Sequence, residues 1–189
     1  MGNITGMVVR DAEASRRRIL RAATAEFAEH GIAGARMDRV AAQAESSKER
    51  IYAYYGNKDA LFDAVFTASV ARTLEAVAFD PDDLPSYAGR MFDYFADHPA
   101  AQRLTTWYRL ERPTGPGLDA VIEANRERVE ALSKAGHRGF PPVALLTLVQ
   151  AIASGWGTMN PEFAGAAATV DRAERRRTVV EAVRRLITN

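Results

Sequence analysis

Along most of the chain, apolar side chains return every three or four positions, the period of an α-helix with one buried face, and the two-residue alternation of a half-buried strand is missing almost everywhere. From about Asp11 to His30 the positions Ile19, Leu20, Ala23 and Phe27 fall on one face, and Gly31 stands where a C-terminal cap belongs. A shorter helix is predicted over Met37 to Ala44, with Met37, Val40, Ala41 and Ala44 sharing a face. A third follows from Ser47 to Tyr55, anchored inward by Ile51. Gly56 and Asn57 then break and restart the chain, and Asn57 is a suitable N-cap for a long fourth helix carrying Leu61, Phe62, Val65 and Phe66 and ending near "FDPDD". Further helices are predicted from Leu84 to Asp97, Pro99 to Leu110, Leu118 to Ala135, Pro141 to Met159 and Asp171 to Ile187, separated by "RPTGPG", "GHRGFPP" and "NPEFAG". The expected architecture is all-α: a three-helix head over residues 11–58 and a larger helical domain over residues 59–189.

Two short helices joined by a tight turn and preceded by a longer one form the plan of a helix-turn-helix, whose second short helix enters the DNA major groove. Ala41 is the small residue needed where the helices cross, and Val40, Ala44 and Ile51 are the apolar anchors. Tyr52, Tyr54 and Tyr55 cannot all face one side of a helix, so they divide between groove, phosphate and core, with Tyr55 assigned to the core. The outward positions Lys48, Glu49, Arg50 and Tyr52 are suited to base edges: cations donate to guanine, a carboxylate accepts from cytosine, and a phenol packs on a thymine methyl. Tyr54 and Lys58, beside the first amides of the fourth helix, can donate to one phosphate and so fix register without reading sequence.

The stretch "RRRILRAATAEFAEHGIAGARMDRVAAQAESSKERIYAYYGNKDALF" resembles the N-terminal domain of the TetR family of transcriptional regulators over about residues 14–66, and from Ser47 to Phe62 every fixed position of the family pattern is matched. The resemblance implies phosphate contacts from Arg36, Ser47, Tyr54, Asn57 and Lys58. It also implies a C-terminal core that binds a small-molecule effector and forms a homodimer through its last two long helices. Two departures stand out. Glu45 and Ser46 occupy the turn where the family usually has Gly and an aliphatic residue: either Glu45 is left-handed, at a cost on the order of 1 kcal/mol relative to Gly, or the turn is slightly altered. Ser46 and Glu49 also spell an S-x-x-E capping box, so Glu49 either folds back on the backbone or faces a base. Arg36 stands where the family often has a capping Ser or Thr; the cap is lost and a phosphate contact is kept.

Charge adds little. The chain of 189 residues carries a net charge of only +1. The "SRRR" run with Arg21 reads equally as a basic arm over DNA or as a solvated face interleaved with Glu26 and Glu29. The absence of cysteine removes thiol catalysis and Cys-ligated metals and fits a cytoplasmic protein. The N-terminus shows no secretory h-region, and Gly6 departs from a myristoylation site. Residues 140–161 are uncharged, but Pro141, Pro142, Gln150 and Ser154 favour a buried helix over a membrane span. His30, His98 and His137 are isolated, "TGPGLDA" lacks the strand and lysine of a phosphate loop, and no nucleophile elbow is present. No cofactor and no enzymatic activity are expected.

In the uncharged segment Leu145, Val149, Ile152, Trp156 and Met159 form one apolar stripe beside a small-residue face of Thr147, Ala151, Ser154, Gly155 and Thr158. One stripe is expected inside the protomer and the other against a second copy, with Thr147, Ala151, Gly155, Val180, Val183 and Ile187 at the dimer interface. Trp107, Tyr108 and Trp156 are the candidates for an effector pocket, because they join apolar area to a polar handle. The expected function is a dimeric repressor of a palindromic operator, released by an effector. The alternatives are an activator or protein-responsive regulator of the same fold, or an all-α enzyme carrying a similar head.

Overall fold

The computed structural model describes residues 4–137, 139–158 and 161–188. In chain order the helices are α1 (Ile4–Gly34), α2 (Met37–Gln43), α3 (Lys48–Tyr55), α4 (Lys58–Ala76), α5 (Leu84–Asp97), α6 (Pro99–Glu111), α7 (Asp119–Ala135), α8 (Pro142–Ser154), α9 (Ala164–Ala167) and α10 (Arg172–Ile187). No strand occurs among the described residues. The fold is all-α, as the periodicity requires.

Several helix ends differ from the sequence reading: α1 begins at Ile4 and not near Asp11, and α4 ends at Ala76, short of "FDPDD". Helical structure extends to Gly34, but across a break at Gly31, whose φ of 63° and ψ of −170° suit glycine alone. A Cβ there would also stand 2.8 Å from the Trp107 ring, so the break is held by both backbone and packing. α8 stops at Ser154 because the Ser154 carbonyl is taken by the Gln102 amide at 2.6 Å and by the Gly157 N–H at 3.1 Å. Met159, expected at the end of that stripe, lies outside the described residues.

The chain divides into two compact units, with one boundary falling in the sequence of α4 between Ser69 and Val70. The first unit comprises the residues up to Ser69 together with Arg103–Leu118, and so extends beyond residues 11–58. Its core joins Ile19, Phe27, Val40, Ile51, Leu61, Phe62 and Tyr108, all essentially without solvent exposure. The aromatic residues stack in series, Phe27 edge-on to Phe62 at 4.9 Å and Tyr108 stacked on Phe66 at 3.8 Å.

The segment Arg103–Leu118 belongs to this unit through polar bonds as well as packing. Arg103 pairs with Glu29 at 2.6 Å, Trp107 donates to the Ala28 carbonyl at 3.2 Å, and the Glu111 carboxylate accepts from the Ile32 and Ala33 amides. Tyr108 and Arg112 both donate to Asp63. These partners lie far apart in sequence, and no local pattern announces them.

The second unit comprises Val70–Gln102 and the residues from Asp119 onward. Its core is built from α5, α7, α8 and α10, with Leu84, Tyr87, Leu132, Leu145, Val149 and Val183 among the most buried side chains. Asp83 and Asp171 cap α5 and α10, accepting from the Ser86 and Glu174 amides at 3.1 and 2.8 Å.

Candidate nucleic-acid interface

The turn between α2 and α3 keeps the geometry of a glycine turn without the glycine. Glu45 adopts φ 50°, the Ser46 N–H donates to Ala41 O at 3.0 Å, and the Glu45 N–H donates to Ala42 O at 3.2 Å. This is the paired bonding of a Schellman end, and it offsets left-handed strain on the order of 1 kcal/mol. Arg18 of α1 donates to the Ala44 carbonyl at 3.3 Å, satisfying one more orphan group at the same helix end.

The S-x-x-E capping box is not formed. The N-cap of α3 is Ser47, whose hydroxyl accepts from the Arg50 amide at 3.2 Å, while the buried Ser46 hydroxyl has no partner. The shift of one residue follows from the turn, which uses Ser46 as the residue after the left-handed position. Glu49 still turns back toward the helix start: its own amide and the Ser47 hydroxyl hold its carboxyl below the usual range.

On α3, Ile51 is fully buried, whereas Lys48, Glu49, Arg50 and Tyr52 are exposed, Tyr52 at 39%. The four expected base readers therefore share the solvent side of the helix. Lys48 is engaged with Asp38 of α2 at 2.9 Å; the hydrogen bond raises the lysine pKa and lowers that of the aspartate. Arg50 and Lys58 have no ion-pair partner among the described residues.

Tyr54 and Tyr55 are half-buried and pack edge to face at 6.5 Å, and burial pushes the Tyr55 hydroxyl up in pKa. The Arg16 guanidinium of α1 lies over the Tyr54 ring, 5.0 Å from its centroid. Gly56 closes α3 with φ 82°, its N–H donating to Tyr52 O at 2.7 Å, and Asn57 caps α4 by accepting from the Ala60 amide at 2.8 Å. Lys58 is the first residue of α4, at the end of the helix that favours anions.

Behind this surface the buried Glu26 carboxylate fixes α1 against α2. It accepts from the Arg36 N–H at 2.7 Å and from Arg39 Nε at 2.9 Å, and the Arg39 bond is the main cause of its lowered pKa. Arg36 thus precedes α2 with no side-chain cap, and its side chain is exposed. The whole arrangement is a helix-turn-helix presenting polar donors on one side.

Residues 19–65 match the family model of bacterial regulatory proteins of the tetR family, and residues 83–185 match that of the tetracyclin repressor-like C-terminal domain. The chain belongs to the TetR family of transcriptional regulators. It is 41% identical over 167 residues to the HTH-type transcriptional repressor SCO4008 of Streptomyces coelicolor, spanning 83% of this chain and 85% of that protein. The crystal structure of the transcriptional regulator SCO4942, also from Streptomyces coelicolor, aligns with 92% of this chain and 98% of its own at a TM-score of 0.83 and 41% identity. A TetR-like regulator from Rhodococcus sp. RHA1 shares the fold at a TM-score of 0.68 and 19% identity, over 93% of this chain and 96% of that one. As a TetR-family regulator the protein is not an enzyme, which sets aside the third sequence alternative.

Elsewhere in this TetR-family chain, several expected site residues are redistributed. Tyr108 is fully buried, packs on Phe62 and Phe66, and uses its hydroxyl to donate to Asp63 and accept from the Gly117 N–H at 2.8 Å. It is a core residue of the first unit, its ring and its hydroxyl both already engaged. Trp107 likewise packs on Gly31 in that unit, whereas Trp156 belongs to the second, with the Arg175 guanidinium 5.1 Å from its ring. A sequence scan for aromatic handles finds such residues but not the partners that already occupy them.

Val183, expected at a dimer interface, is wholly buried within its own unit. The helical period places it on the face of α10 that meets α5 and α8. Thr147, Ala151 and Gly155 are exposed, and Val180 and Ile187 are half-buried. The stripe of Leu145, Val149, Ile152 and Trp156 packs into the second core. The sequence reading missed Asp38, paired with Lys48, and left the "SRRR" run undivided, whereas the structure lays Arg16 of that run on Tyr54.

Proposed function

We propose that this TetR-family regulator is a repressor that binds a palindromic operator as a homodimer in the cytoplasm and is released by a small-molecule effector. The observation that carries the reading is the intact helix-turn-helix, with Arg50, Tyr54 and Lys58 exposed or half-exposed and no carboxylate paired to either cation. The name of the 41% identical repressor SCO4008 supports the direction of regulation.

In this reading residues 11–58 carry the DNA contacts and residues 59–189 the effector and dimer functions. Lys48, Arg50 and Tyr52 face base edges, and Lys48 exchanges Asp38 for DNA. Glu49 reads a base only if it leaves the start of α3. Arg36, Ser47, Tyr54, Asn57 and Lys58 meet phosphates, Asn57 through the amide nitrogen its capping bond leaves available. Two such heads must reach successive major-groove faces about 34–36 Å apart, or a multiple.

The proposed dimer surface joins the exposed α8 face of Thr147, Ala151 and Gly155 to Val180 and Ile187 of α10. Val143 and Leu148 on α8 are exposed at 60% and 37%, and a groove of about 380 Å³ on α10 is lined by Arg176, Arg177, Val180, Glu181 and Arg184. Apolar floor and charged rim suit a protein interface. The effector is assigned to the second unit. There Arg90 Nε is buried without a hydrogen-bond partner, Arg128 lies 5.6 Å from the Phe79 and Tyr87 ring centroids, and Trp156 belongs to the same unit. An effector that favours a conformation in which both heads cannot dock lowers operator affinity.

Selection of bound fragments from the source genome, run beside a Tyr54→Ala/Lys58→Ala double variant, tests the proposal. A palindrome enriched by the wild type and lost in the variant is expected, with transcription from that promoter lowered by the protein. A folded wild type that enriches no site, or raises transcription, overturns the repressor reading. Lys58→Ala alone is expected to reduce the slope of log K against log salt by about 0.9 per protomer on every sequence, whereas Arg50→Ala relaxes preference at particular base positions by roughly 1–3 kcal/mol.

A further inference from the structure

The cations of the head fall into two sets. Arg39 is bound to Glu26, Lys48 to Asp38, and Arg18 to the Ala44 carbonyl. Arg16 differs: it is exposed, no carboxylate among the described residues pairs with it, and its guanidinium is laid over the Tyr54 ring at 5.0 Å. The same ring packs edge to face with Tyr55. A guanidinium stacked on an aromatic face keeps its N–H fork open, is weakly hydrated, and suits bidentate bonding to phosphate.

We infer that Arg16 of α1 completes a DNA-phosphate subsite with Tyr54, donating to the backbone beside the Tyr54 hydroxyl and holding that ring in place. The inference rests on the proposed DNA-binding role of the head and adds to it a contact from outside the α2–α4 segment. Arg17 and Arg21 are also exposed, but no aromatic ring among the described residues lies beneath them. The stack thus separates one arginine of the "SRRR" run from its neighbours: Arg16 is a placed contact, while the others add only to the diffuse field. The guanidinium and the phenol are near enough for both to serve one phosphate or two consecutive ones. A positive charge above the ring also makes the hydroxyl a better donor toward an anion.

The test is the salt dependence of binding by the full chain to a mixed-sequence duplex, with the wild type, Arg16→Ala, Arg16→Lys, Arg16→Gln and Lys58→Ala, together with each variant's melting temperature. Arg16→Ala is expected to lower the log–log slope by about 0.9 per protomer, as Lys58→Ala does. Arg16→Lys is expected to keep the slope yet bind several-fold more weakly, because a point charge replaces the stacked fork. Should Arg16→Ala destabilise the head, Arg16→Gln, which keeps length and planarity without charge, carries the same expected slope. A slope unchanged in Arg16→Ala and Arg16→Gln while Lys58→Ala lowers it would overturn the inference and leave Arg16 as packing between α1 and α3. Salt-independent or absent binding by the wild type would instead sink the DNA-binding reading itself.

Discussion

Ser46 and Ser47 are adjacent and chemically identical, yet their hydroxyls have opposite fates. The Ser47 hydroxyl caps α3 through the Arg50 amide, and the Ser46 hydroxyl is buried with no partner. Ser47→Ala is therefore expected to destabilise the head by about 0.5–2 kcal/mol. Ser46→Ala removes an unsatisfied polar group and should be neutral or slightly stabilising. Denaturant unfolding of both variants checks the pair, and equal losses would contradict the assignment. From sequence, both serines fit an N-cap and the S-x-x-E spacing favours the first. What decides between them is the position of the Schellman end, which depends on Glu45 accepting φ 50°.

At the scale of elements, helix existence and most helix ends follow from local signals: periodicity, an Asn or Asp cap, a following glycine or proline. The predicted bounds of α5 coincide with those observed because Asp83 and Pro99 mark both limits locally. How the elements are fastened is a different matter. α1 and α2 are joined by Glu26, whose pKa is depressed chiefly by its hydrogen bond from Arg39. A carboxyl with a depressed folded pKa contributes stability above its unfolded value, here about 4.5, and loses it as pH falls through the folded pKa. Glu26→Gln is thus expected to melt below the wild type at pH 7, with the two melting temperatures converging as pH falls below about 4.5. A constant gap across that range, measured by circular dichroism, would show that the ion pair does not carry the coupling.

For the whole molecule, the exposed small-residue face of α8 bears the dimer proposal. Ala151→Glu places a charge in the centre of that face and is expected to shift the protein from dimer to monomer in sedimentation, with helical content unchanged and operator affinity lost. Ile122→Glu, on α7 at a site already 62% exposed and outside the face, should sediment as the wild type does. A dimeric Ala151→Glu protein would move the interface elsewhere. No described helix is long and apolar enough to cross a membrane. Leu145 and Val149 are covered within their own unit, and Thr147 and Ala151 are left outside it.

The sequence by itself determined the helical class, the order of the elements and the helix-turn-helix with its outward Lys48, Glu49, Arg50 and Tyr52, because these rest on periods and caps within a few residues of one another. The left-handed position at Glu45 was one of two turn geometries that the sequence left open, and it is the one the structure adopts. Only the tertiary structure decided that Tyr108 and Trp107 are packing residues of the first unit, that Val183 is core, that Lys48 is paired and that Arg16 lies on Tyr54. Each of those outcomes depends on a partner many residues away, and a side chain's helical face says which way it points but not what it meets there.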